Sequence, residues 1–85
     1  MELTKIERNY LDRANKFEAM TRRGLVKYSE AYDRLHGYNE ALTVNELNTD
    51  KTDCIWEHMT NILCGSPDQK KASLIILKMF TEWSK

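Results

Sequence analysis

Few side chains in this sequence could do chemistry. The imidazoles are His36 and His58, and the thiols are Cys54 and Cys64. Cys54 and His58 are four residues apart, which on a helix places them on one face and within reach of one metal ion. Structural zinc takes four ligands, commonly with a close pair of cysteines. Cys64 lies ten residues beyond Cys54, about 15 Å along a continuous helix. That is too far to join the same site or to form a disulfide within the helix. The pair therefore reads as ordinary half-buried residues at the margin of an apolar stripe, with no metal. Nucleophilic catalysis needs a base beside the nucleophile and a group that orients the base. Neither histidine lies in such a pattern, and no glycine-rich phosphate loop is present. The expectation is a protein that is not an enzyme and carries no cofactor.

Arginine and tyrosine carry more information. All five arginines lie between Arg8 and Arg34, and all four tyrosines lie between Tyr10 and Tyr38. Several cations have acidic partners at helical spacing, namely Glu18 with Arg22, Glu30 with Arg34, and Asp12 with both Lys16 and Arg8. These read as a solvated face. Arg13 and Arg23 have no acid three or four residues away. Arg13 also points between the directions of Ile6 and Met20, inside an apolar stripe. An unpaired charge is costly to bury, so Arg13 must snorkel, pair with a distant acid or meet a partner. Tyr28 and Tyr32 are one turn apart, with Tyr38 beyond Gly37. Leu11 and Val26 project from the polar sides of their helices. Tyrosine and arginine are enriched at interface hot spots. Arg13, Arg23, Tyr28, Tyr32, Tyr38 and Leu11 thus form a candidate partner-binding surface. The competing reading makes the tyrosines core residues with surface hydroxyls.

The elements that must position these groups are helical throughout. Thr4 and Glu7 form a capping box, from which a first helix runs from about Lys5 to Arg23, with Gly24 at its C-terminus. A second spans about Leu25 to His36 and ends at Gly37. One long helix tolerating Gly24, at about 1 kcal/mol relative to alanine, is the alternative. Thr43 to Glu46 can cap a short fifth helical turn near residue 44, and Asn48 to Lys51 reads as loop. A third helix runs from about Asp53 to Cys64 and stops at Gly65. Ser66, Pro67 and Gln69 together mark a further helix start, and this last helix runs nearly to the end of the chain.

The last helix is unusual. Its main stripe is Ala72, Ile75, Ile76, Met79, Phe80 and Trp83, extended by Leu74 and Leu77. Only a narrow edge of Lys71, Lys78 and Glu82 is polar. Such a helix is central in its bundle or partly covered by a second molecule, and Leu74, Leu77 and Trp83 are the candidate contacts of a homodimer. The segment 53–84 also has the connection length of a DNA-binding helix-turn-helix, with Gln69, Lys70, Lys71 and Ser73 near the start of its second helix. Leu74 to Phe80 is too apolar for a helix lying in a groove.

Thirteen basic and thirteen acidic side chains cancel over 85 residues. A neutral chain lacks the broad positive field of most nucleic-acid binders. No apolar run approaches a membrane span or an export signal, and the two cysteines give no disulfide framework, which points to a reducing cytoplasm, the host's if the protein is viral. The sequence therefore predicts one all-α domain, a small bundle of about four helices. Its expected role is to bind another protein or complex, as small phage or mobile-element inhibitors do by occlusion. Nucleic-acid binding and homo-oligomerisation are the alternatives, and no membrane association is expected. On this reading, replacing Arg13, Arg23 and Tyr28 abolishes partner binding and leaves helicity intact.

Overall fold

The computed structural model describes residues 2–83, which form an all-α bundle of four helices. They are α1 (Lys5–Arg22), α2 (Tyr28–Val44), α3 (Asp50–Cys64) and α4 (Pro67–Trp83). The third helix is the centre of the bundle: α1, α2 and α4 all pack against it, and α4 packs along it most extensively. One core results, with Tyr10, Leu35, Ile55 and Met59 fully enclosed. No described helix is long and apolar enough to cross a membrane.

Local hydrogen bonding explains where the helices begin and end. The Thr4 hydroxyl accepts from the Glu7 amide, and the Glu7 carboxylate accepts from the Thr4 amide. Ser66 and Gln69 make the same reciprocal pair at the start of α4. Gly24 does break the chain. It adopts φ +74°, and the Leu25 amide reaches back to the Met20 carbonyl at 2.9 Å. This is a left-handed helix stop, which glycine adopts without steric penalty. At Gly65 a side chain has no room, because a Cβ would sit 2.5 Å from the Asn61 carbonyl oxygen.

Three boundaries differ from the sequence reading, the first being that α2 starts at Tyr28 and not at Leu25. Gly37 does not end a helix; α2 continues through it to Val44, and the turn expected near residue 44 is the last turn of α2. The stop comes at Glu46, which adopts φ +56°, with the Leu47 amide bonded to the Leu42 carbonyl at 2.8 Å. The third helix starts at Asp50, because Thr49 forms a capping box with Thr52.

The buried face of α4 is rotated from the stripe read in the sequence, and that of α1 is wider than apolar spacing alone gives. Leu11, expected on the polar side of α1, is 1% exposed and belongs to the core. The buried residues of α1 are Glu7, Tyr10, Leu11, Ala14, Phe17 and Thr21, with Ile6 and Met20 half-buried. This is possible because the buried polar groups find partners. Glu7 accepts from the Thr49 hydroxyl at 2.6 Å, and the Thr21 hydroxyl donates to the Glu18 carbonyl. On α4 the inward residues are Ser73, Leu77 and Phe80, and Ser73 shares a 3.1 Å hydrogen bond with His58 Nδ1. Leu77 is therefore a core residue, closed to any second molecule, and Leu74 packs partly against the core. No described buried side-chain polar atom lacks a hydrogen-bond partner.

Candidate interaction groove

Four side chains link α1 and α2. The Tyr10 ring is fully buried, and its hydroxyl donates to Asn39 Oδ1 at 3.1 Å. Burial, reinforced by the negative charge of Asp53, pushes that hydroxyl's pKa well above its ordinary value, so it remains a donor. The edge of Tyr10 meets the Tyr38 ring at a centroid distance of 5.4 Å. The Arg13 guanidinium in turn lies 4.3 Å above the Tyr38 centroid. Tyr38 can hold this place because α2 runs on past Gly37 and carries it onto the face toward α1. Such a contact contributes about 0.5–1 kcal/mol at an exposed site, and it holds a long side chain in one region.

This stacked pair lies at the wall of a groove of about 670 Å³. Asn9, Asp12, Lys16, Phe17, Met20 and Arg34 line the rest. Met20 is half-buried and Phe17 belongs to the core, while Arg13 and Lys16 stand against the carboxylate of Asp12 and Arg34 has its own acid partner. Arg34 is held by Glu30 at 2.7 Å, as its spacing predicts, and Arg22 by Glu18. The expected pairs of Asp12 with Lys16 and with Arg8 do not form among the described residues. Neither Arg13 nor Arg23 has a carboxylate partner there. Arg13 and Lys16 thus exceed Asp12 by one positive charge in a groove that is open to solvent. Its size lies in the range of ordinary ligand clefts.

The other residues named from the sequence lie elsewhere. Tyr32 faces the opposite margin of α2, where its ring packs on His36 at 5.9 Å and Trp56 at 5.4 Å. Tyr28 sits at the start of α2 beneath the Lys70 ammonium, 4.4 Å from the ring centroid. Arg23 caps the C-terminus of α1 and is exposed, ten residues from Arg13, or about 15 Å along the axis. Leu11 is internal. Of the proposed surface, only Arg13 and Tyr38 come together. Lys16, Phe17, Met20 and Arg34 were missed as members of it. Their signal was weak: Lys16 and Arg34 looked neutralised by local acids, and Phe17 and Met20 looked like core.

The helix-turn-helix-like segment uses most of its expected base-reading side chains internally. Gln69 caps α4, Lys70 covers Tyr28, and Ser73 is buried against His58, which leaves Lys71. Cys54 is half-buried, and burial raises its thiol pKa. No cluster of three or more potential metal ligands exists among the described residues. Comparison with family models, with curated proteins and with solved structures finds no match for this chain.

Proposed function

We propose that this protein is a non-enzymatic binding module whose α1–α2 groove receives an acidic segment of a partner protein. The observation that carries the reading is the Arg13 guanidinium stacked on Tyr38 in a groove that Lys16, Arg34 and half-buried Met20 also line. Arginine presents a planar fork that binds a carboxylate through two parallel hydrogen bonds. Ordering a long side chain at an interface costs about 0.5–1.5 kcal/mol. Tyr38 meets part of that cost before the partner arrives. An apolar partner side chain next to its carboxylate would reach Met20.

The mechanism is occlusion or locking of the partner, without turnover. Inhibition of a larger complex, of the kind small phage or mobile-element proteins perform, is the form of this activity we favour.

The test is a comparison of affinity captures from nuclease-treated cytoplasmic lysate. One bait is the unaltered chain; the other carries Arg13→Ala, Lys16→Ala and Arg34→Ala, with helicity checked by circular dichroism. A stoichiometric protein bound by the first and lost by the second supports the groove. Equal recovery by both removes it from consideration. Recovery that depends on nucleic acid being intact moves the assignment to nucleic-acid binding.

A further inference from the structure

The thirteen basic and thirteen acidic side chains balance, but the fold does not mix them evenly. A net charge of zero excludes a broad positive field and leaves room for a local one. The turn between α1 and α2 meets the start of α4 at one end of the bundle, where the Lys70 ammonium lies over the Tyr28 ring. Arg23, Lys27, Lys70 and Lys71 collect at this end against Asp68. None of the four cations has a carboxylate partner among the described residues. Glu18 and Glu30 stand near, but they are engaged by Arg22 and Arg34. The opposite end, where Glu7 joins the caps of α1 and α3, carries Glu40, Glu46, Asp50 and Asp53 against Lys5 and Lys51.

The basic end also has an apolar apex. Leu25 is 68% exposed, between Arg23 and Lys27 in sequence. Its amide is fixed by the helix stop at Gly24, and its side chain has no place in the core. Tyr28 follows, 44% exposed beneath Lys70. Val44 is more exposed still, at 81%, but it lies at the acidic end beside Glu46.

We infer that the basic end docks on the anionic face of a lipid bilayer, with Leu25 entering the boundary between headgroups and acyl chains. A bilayer of this kind matches all three features. Its headgroups take the cations, its acyl chains take an exposed leucine, and its interface suits tyrosine. A nucleic-acid backbone matches the cations alone. It offers nothing to Leu25, and the Tyr28 ring is covered by Lys70 where a base would stack. The acidic end is repelled by the same headgroups, so the bundle stands on the surface end-on. Docking of this kind needs no spanning helix.

Co-sedimentation with vesicles tests the inference, one set of phosphatidylcholine alone and one with about 30% phosphatidylserine. A cation near an anionic surface strengthens binding about fivefold. Four cations against Asp68 should therefore favour the anionic vesicles by roughly a hundredfold. Salt of about 0.5 M should remove most of that preference. Lys27→Glu with Lys71→Glu, both at exposed positions, should keep helicity and abolish binding. Leu25→Ala should weaken binding about fivefold. Equal sedimentation with the two vesicle sets, or none with either, overturns the inference. So does an affinity that Leu25→Ala leaves unchanged. Tighter binding to a labelled DNA duplex or single strand than to anionic vesicles also overturns it, and gives the basic end to nucleic acid. Leu25, Lys27 and Lys71 do not line the α1–α2 groove, so these outcomes are independent of partner capture by Arg13.

Discussion

The carboxylate of Glu7 holds the starts of two helices at once, and its removal has a predictable cost. Its side chain is buried, with the residue only 4% exposed. Oε1 accepts from the Thr4 amide at 2.8 Å, and Oε2 accepts from the Thr49 hydroxyl at 2.6 Å. Thr49 is the N-cap of α3, so this bond ties the cap of one helix to the cap of another across 42 residues. Glu7→Gln preserves the shape and the bond from Thr4. It turns a donor toward Thr49, however, and leaves that hydroxyl without its anionic acceptor. A hydrogen bond to a charged group contributes about 1.5–3 kcal/mol and a neutral one about 0.5–1.5. The expected loss is therefore roughly 1–1.5 kcal/mol. For a domain of this size each kcal/mol lowers Tm by about 4–8 °C.

The pH dependence gives an independent check. Burial raises the Glu7 pKa, but hydrogen bonds from Thr49 and Thr4, with the charge of Lys51, outweigh it and bring the net value below the usual 4.5. A carboxyl whose folded pKa is depressed adds stability above its unfolded pKa and loses it as pH falls through the folded value. The deficit of Glu7→Gln should thus be complete at neutral pH and shrink below about pH 4.5. Urea denaturation of both proteins at neutral pH and in acid measures this. Equal midpoints at neutral pH, or a deficit that persists unchanged in acid, would refute the account.

Two further predictions follow from the fold. Leu11→Ala should cost about 2–5 kcal/mol by creating a core cavity, measurable by denaturant titration; a cost under half a kcal/mol would return Leu11 to the surface. Glu46→Gly should stabilise the protein by roughly 0.5–1 kcal/mol, because glycine relieves the left-handed backbone at φ +56°. A lower melting temperature for that variant would contradict the assigned helix stop.

How much of this was legible in the sequence depends on the range of the interaction. The Thr4–Glu7 and Ser66–Gln69 boxes and the break at Gly65 were readable, because each is decided by atoms within a few residues, whereas at Gly24 the sequence left one continuous helix as an alternative. The all-α class was readable for the same reason, through apolar spacing.

The tertiary structure decided how far burial extends round α1 and which face of α4 is covered. Glu7, Thr21 and Ser73 are polar, yet each is buried because a hydrogen-bond partner waits in the fold. Their burial widens the covered face of α1 so that Leu11 enters the core. It turns α4 so that Ile75, Met79 and Trp83 leave it. The groove depended on the same kind of choice. Arg13 was conspicuous as an unpaired charge, but its place over Tyr38 required α2 to continue through Gly37. Glycine's cost inside a helix is only about 1 kcal/mol, and packing against α1 and α3 exceeds it. Spacing along a chain fixes which residues share a helix face. Only the neighbours brought by the rest of the chain decide which face is buried.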